Sequence, residues 1–436
     1  MLKYSYLKSV KVENNMLNRK IQPQTFPISE FKPVETISHS LKNKIAFTGL
    51  HDKNMTLFRL DIRLKAGSYF QQKQAVSQAA IKLLAEGIQS MSGEKIAEIL
   101  DYAGAYYEVS PERDFVSLSI HFPKSSAQTI VPLVAKFFTE AIFPEDKIDI
   151  LKNNLKRNLA VNLEKTSYLA YSGFIASVFS SAHPYGVSLQ MEDIDQLQRN
   201  DIVDFYKQYY HGGNMRLFAA GNIDADFLQI LDDTFGDIPF EKPAIEKIIP
   251  IQEAEKECNL EKENAVQSSI CIGKRLFDYT HKDWIAFSVL NTILGGYFGS
   301  RLMTNIREDK GLTYGIYSRM LSFQQEGLFM IRADVNKENV QQAKEEIFKE
   351  IQKLLDSPVL QDELDLVKNY LFGALLRNFD GIFSQIDRNV LLSDYNLNQT
   401  YWEHYIKMIK DTNIKQLQQL ANTYLQFDSM VEVVAG

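Results

Sequence analysis

The sequence predicts an α+β protein built as two repeated halves, each a mixed β-sheet covered by helices. Three observations carry this. Residues Leu57 to Leu64 alternate, with Leu60, Ile62 and Leu64 on one face and Arg59, Asp61 and Arg63 on the other, the two-residue period of a half-buried strand. Helical patterns stopped by a glycine, such as Gly93–Ala103 before Gly104, lie between such strands. The order of elements then recurs. Ile148 to Leu155 (IDILKNNL) is echoed by Leu364 to Leu371 (LDLVKNYL) at an offset of 216, Met215–Gly221 (MRLFAAG) by Met430–Gly436 (MVEVVAG) at 215, and Gly104 by Gly311 at 207. A shared order with a nearly constant offset is the mark of an internal duplication.

Taken in order, residues 1–40 are polar and irregular, and a first strand opens at Leu41–Phe47. After the alternating strand, Ala66-Gly67-Ser68 is a turn, and a helix runs from about Ala75 to Glu86, stopped by Gly87. The helix at Gly93–Ala103 is followed by strands Ala105–Val109 and Phe115–Phe122, then by helices near 126–141, 145–164 and 166–180. His183-Pro184-Tyr185-Gly186 is a loop, and the other histidines have polar neighbours. Asp201 caps the next helix, Met215–Ala220 is a strand, and a helix at Ala225–Phe235 closes the first half. Residues 236–264 are rich in Pro, Glu and Lys without periodicity and read as a connection. The division is therefore 1–240 for the first half, 241–264 for the linker and 265–436 for the second half.

Composition narrows the function. The chain is 45% hydrophobic and 24% charged, with a formal net charge of −7, so no basic surface recommends nucleic acid as a partner. No run is apolar and long enough to span a bilayer, and the first twenty residues lack a signal-peptide core. Cys258 and Cys271, the two cysteines, form neither a disulfide framework nor a zinc ribbon. The expectation is a cytoplasmic protein with no membrane partner.

The most informative stretch is Leu294–Met320, LGGYFGSRLMTNIREDKGLTYGIYSRM. Glycines Gly295, Gly296 and Gly299 open it, a helical pattern runs through Arg307, Gly311 stops that helix, and a strand begins at Leu312. Arg307 and Tyr314 flank the corner. Folded toward one another, a guanidinium and a phenol would offer fixed donors for a carbonyl or an oxyanion.

This stretch resembles the C-terminal half of the insulinase (pitrilysin) superfamily of zinc peptidases, which includes the mitochondrial processing peptidase. The resemblance rests on Leu294-Gly295-Gly296, Ser300-Arg301-Leu302 and Arg307-Glu308-Asp309-Lys310-Gly311-Leu312-Thr313-Tyr314. It implies two halves facing across a chamber. It also implies that Arg307 and Tyr314 bind substrate peptide and help hold the tetrahedral intermediate, with Gly295, Gly296 and Gly299 in the substrate-binding loop.

Active members of that family carry His-x-x-Glu-His on a helix of the first half, two histidines binding zinc and the glutamate activating water. Counted back from Gly87, those positions fall here on Gln78, Ile81 and Lys82, which is not a ligand set. The third family ligand is a glutamate on the helix near 145–165, and no glutamate occurs between Glu145 and Glu164. No cofactor is therefore expected on this chain. The resemblance implies a non-zinc-binding, substrate-binding subunit of a split zinc metallopeptidase. Its zinc would sit on a homologous His-x-x-Glu-His partner, or the chain would form a homodimer. The alternative is a non-enzymatic scaffold or interaction protein on a decayed peptidase fold.

Overall fold

The first half supplies a six-stranded sheet whose central strands each carry a continuous apolar face. In a computed structural model that describes residues 33–243, 249–251 and 256–436, its elements are β1 (Thr36–Ser40), β2 (Ala46–His51), β3 (Leu57–Leu64), α1 (Val76–Lys82), β4 (Gly87–Ile88), β5 (Met91–Ser92), α2 (Gly93–Tyr102), β6 (Tyr106–Pro111), β7 (Val116–Pro123), α3 (Ala127–Phe137), α4 (Glu145–Leu163), α5 (Thr166–Phe179), α6 (Met191–Gln196), α7 (Arg199–Tyr209), β8 (Met215–Gly221) and α8 (Ala225–Thr234). The sheet order is β1-β2-β8-β3-β7-β6, antiparallel except for β2 with β8. Leu60, Ile62 and Leu64 of β3 meet Leu118 and Ile120 of β7 and bury under α1, α3 and α8 in one large core.

The second half repeats this plan with β9 (Glu257–Leu260), β10 (Gln267–Leu276), α9 (Trp284–Asn291), β11 (Thr313–Ser322), β12 (Gly327–Asn336), α10 (Val340–Asp356), α11 (Gln361–Asn378), α12 (Ile382–Asp394), α13 (Tyr401–Asp411), α14 (Ile414–Tyr424) and β13 (Val431–Ala435). Its sheet order, β11-β12-β10-β13-β9, is that of the first sheet without β1, down to the parallel pair β13–β9 that mirrors β8–β2. The two matched glycines share a left-handed conformation, with φ of +65° at Gly104 and +63° at Gly311. The structure is thus α+β with two like halves, as the duplicated pattern predicts.

Each half lends a helix to the other. α5 packs on β10 and β13 of the second sheet, and α12 packs on β8 and β2 of the first. These helices occupy matching places in the repeat, beginning at Thr166 and Ile382. α5 is apolar nearly all round, as a helix enclosed on several sides must be. Its Ala170, Phe174, Ile175 and Val178 bury against Cys271, Met330, Val433 and Ala435.

Several boundaries differ from the sequence reading. β1 and β9 form in segments read as irregular or as linker, and the first strand begins at Ala46 rather than Leu41. The helix expected to run to Glu86 stops at Lys82, and residues 83–86 turn into the small β4–β5 pair. Gln198, not Asp201, is the N-cap of α7, with Asp201 completing a capping box from the third helical position. Residues 1–32, 244–248 and 252–255, covering most of the irregular N-terminus and part of the linker, lie outside the described residues.

Candidate functional site

The stretch around Arg307 is built on two π-helical segments, Thr292–Gly296 and Met303–Asp309. Such widened turns are rare and collect at functional positions. The second segment is braced from behind by α10. The Asn305 amide donates to Glu346 Oε2 at 3.1 Å and to Glu350 Oε1 at 2.6 Å, and Lys310 Nζ lies 3.1 Å from Glu346. Both glutamates are buried. Lys349, with Lys310 and Asn305, holds the Glu346 carboxyl down from 4.5 to about 2.

At Gly311 the Leu312 N–H reaches back to the Ile306 carbonyl at 2.9 Å, closing the helix with a Schellman-type bond. β11 then opens on a bulge, because its register with β12 slips between Thr313 and Ile316. The Thr313 hydroxyl donates to the Asp334 carbonyl at 2.6 Å and accepts from the Gly315 N–H at 3.1 Å. Bulges re-aim side chains, and here Tyr314 is turned outward, 92% exposed. The Arg307 guanidinium lies over the Phe298 ring, 4.5 Å from its centroid, a cation–π contact that fixes the side chain. Among the described residues no hydrogen bond or ring contact joins Arg307 to Tyr314. They flank one corner without touching.

The three glycines separate in role. Gly295 is buried, and a side chain there would press on the Ser318 amide at 2.6 Å, so glycine lets the π-turn cross β11 closely. Gly296 and Gly299 are exposed. Gly299 rims a hollow of about 910 Å³ shared with Arg301, Asn305 and Glu350.

At the three degenerate motif positions, Ile81 is buried in the core while Gln78 and Lys82 are half-buried on α1. An amide, an alkyl group and an ammonium do not fit zinc, which needs anionic or imidazole lone pairs. α4 carries Asn154 and Asn158 and no glutamate after Glu145. Among the described residues no three His, Cys, Asp or Glu side chains converge to hold a metal. His183 lies in its expected loop but is buried, and His211, read as having polar neighbours, is buried too. Burial lowers the pKa of both and favours the neutral ring.

The sequence reading missed a second polar site. Arg59, Asp61 and Arg63 do not face water, because α12 covers them, leaving Asp61 3% and Arg63 6% exposed. Arg59 pairs with Asp61 at 2.9 Å and with Asp387 of α12 at 2.6 Å. Arg63 pairs with Glu112 at 2.8 Å and Asp394 at 2.6 Å, and Arg216 reaches the same Asp394 at 2.8 Å. The only signal in the sequence is that opposite charges sit on β3 and on a helix more than 300 residues later, and no spacing rule links them.

Comparison with known proteins agrees with this architecture. Residues 196–371 match the family described as the peptidase M16 inactive domain. An uncharacterized zinc protease of Bacillus subtilis, YmxG, is 22% identical over 306 residues, covering 70% of this chain and 74% of that protein. The probable inactive metalloprotease YmfF of the same organism is 26% identical over 208 residues, covering 45% and 47% respectively. The crystal structure of a peptidase M16 inactive domain from Pseudomonas fluorescens superposes with a TM-score of 0.85 at 23% identity, covering 92% of this chain and 98% of that one. Motif, family match and fold agree: residues 196–371 match the peptidase M16 inactive domain, and the chain has the fold of the M16 structure it superposes on.

Proposed function

We propose that this chain is the non-zinc-binding, substrate-binding subunit of a split zinc metallopeptidase, working with a homologous partner that carries His-x-x-Glu-His and the zinc. The observation that carries the reading is Tyr314, an exposed phenol on a bulge beside a braced helix that presents Arg307. The ligand positions on α1 meanwhile hold Gln78, Ile81 and Lys82. The inactive-domain match spans both Arg307 and Tyr314. In this reading residues 1–240 form the half with the degenerate motif, 241–264 link the halves, and 265–436 form the half bearing the arginine and tyrosine.

The chemistry follows from the two side chains. Arg307 donates two hydrogen bonds from a planar fork to the substrate backbone. Tyr314 donates one to the oxyanion that develops at the scissile carbonyl, with the exposed loop of Gly296 and Gly299 letting the peptide approach. Loss of one oxyanion donor costs about 10²–10³ in turnover.

The test is peptide cleavage by the native partner mixed with each variant at matched occupancy. Arg307→Ala and Tyr314→Phe should reduce turnover by about that factor without weakening assembly, and Arg307→Lys should fail substantially because an ammonium lacks the fork. The chain alone should cleave nothing and hold no stoichiometric zinc by metal analysis. Wild-type rates from both Arg307→Ala and Tyr314→Phe would leave the scaffold reading in place.

A further inference from the structure

A hollow of about 460 Å³ opens at the end of β10, walled by Lys274, Arg275, Phe277, Glu326, Tyr424 and Ser429. It lies at the far end of the second sheet from Tyr314. β10 runs from Gln267, opposite Asn336, to Leu276, opposite Gly327, whereas the bulge that carries Tyr314 sits beside Val335. Nothing about the hollow depends on the peptidase reading.

The repeat shows where the hollow comes from. In the first half β3 pairs with β8 through its last residue, Leu64 with Met215, and the Lys65 N–H continues to the Asn214 carbonyl at 3.3 Å. The Asn214 side-chain amide closes that corner by donating to the Lys65 and Tyr209 carbonyls at 2.9 and 3.0 Å. Leu64 is fully buried there. By register, Leu64 and Lys65 correspond to Lys274 and Arg275, and Asn214 to Ser429. In the second half the pairing of β10 with β13 stops at Gly273 and Val431, so Lys274–Leu276 overhang. A serine is too short to bridge the corner as Asn214 does, and a lysine stands where the first half has a core leucine.

The charged groups around the opening have capacity left. Lys274 Nζ makes one hydrogen bond, to Ser429 Oγ at 2.6 Å, and the serine passes its own proton to the Gln426 carbonyl at 2.7 Å. An ammonium carries further donors. Among the described residues Arg275 makes no hydrogen bond or ion pair, and neither does the half-buried Glu326 carboxylate. Burial lowers the Lys274 pKa with no acid opposing it, and burial raises that of Glu326 against the pull of Arg275. Half-buried charges without partners cost stability. The remaining wall is aromatic. Phe277 stacks on His281 at 4.2 Å and meets the Tyr424 ring edge-on at 4.9 Å. The Tyr424 hydroxyl is tied to Asp283 at 2.7 Å, which leaves its ring for apolar contact.

We infer that this hollow binds a free α-amino acid with an apolar side chain. Two unspent cations and one unspent carboxylate on one small cavity match a zwitterion better than a simple anion. The ligand carboxylate accepts from Lys274 and Arg275, its ammonium donates to Glu326, and its side chain lies against Phe277 and Tyr424. Arginine beside a carboxylate gives the stronger, charge-assisted kind of hydrogen bond. The volume is ordinary for a small-ligand site.

The full chain is titrated calorimetrically with L-phenylalanine and with L-leucine. Two blocked analogues are the controls: N-acetyl-L-phenylalanine, which lacks the ammonium and resembles a peptide C-terminus, and L-phenylalaninamide, which lacks the carboxylate and resembles a peptide N-terminus. The expected result is saturable binding of the free amino acids, with both analogues weaker by about tenfold or more, the scale of a hydrogen bond to a charged group. Glu326→Gln should weaken phenylalanine binding by about the same factor. Lys274→Leu should do so too, and it restores the residue that the matching corner already packs, so the fold tolerates it. An analogue that binds as tightly as the free amino acid overturns the inference, since one charge would then suffice. Absence of saturable binding by both amino acids, or binding unchanged in either variant, overturns it as well.

Discussion

Glu346 is buried yet stays ionised, because Lys349 and Lys310 close on its two oxygens at 2.7 and 3.1 Å. Its folded pKa lies near 2, below the ordinary 4.5, so its ion pairing stabilises the fold above pH 4.5 and that contribution is lost as pH falls toward 2. Glu346→Gln should therefore lower the melting temperature at pH 7, and its deficit against wild type should shrink between pH 4.5 and 2. A deficit that stays constant across that range would show that the charge contributes nothing. At this scale the places of Arg307 at the end of its helix and of Tyr314 at the start of its strand were legible in the sequence, since the glycine stop between them fixes the corner. The brace behind Arg307 was not: Asn305, Glu346 and Glu350 look like ordinary polar residues of two helices. The charges of β3 were misread for a related reason. Alternation says which residues share a face, but not whether that face meets water or a helix from the other half.

α5 and α12 bear most of the contact between the halves, by different means. α5 buries Phe174 and Phe179 completely, while α12 places the fully buried Ile386 among Leu50, Phe218 and Ala220, packs Ile382, Phe383 and Val390 beside it, and adds ion pairs through Asp387 and Asp394. Phe174→Ala should cost about 3–5 kcal/mol, the usual loss for a buried phenylalanine truncated in a packed core, read as a shift in the urea midpoint. A loss below about 1 kcal/mol would mean that the α5 seam is loosely packed. The long helices α4 and α5 were legible as sustained helical runs near 145–164 and 166–180. β1 and β9 were missed because they are short strands whose extended form is set by the partners they pair with, β2 and β13. The shortened α1 reflects the local chain path: Gly93 must pass close to the Glu86 backbone to form the β4–β5 corner, which ends the helix before Glu86.

For the whole molecule, exchange of α5 and α12 means that neither sheet is covered on both faces by its own half. Residues 33–243 and 256–436 produced separately should each lack a cooperative thermal transition, and mixing them should restore one together with co-purification. Two separately cooperative halves would show that the exchanged helices are accessory to folding. The duplicated order of elements was legible from the offsets of 215 and 216, but the exchange was not, because a repeat in sequence does not say which copy's helix covers which copy's sheet. The exchange also bears on how the protein is made. α5 leaves the ribosome about 250 residues before β13 is translated, which at ordinary synthesis rates is roughly 13–50 seconds. During that interval Phe174, Ile175 and Val178 have no complete sheet to cover. Biogenesis of this chain therefore includes a waiting period with an apolar helix exposed, and the timing of translation, as much as equilibrium stability, sets how much of it escapes aggregation.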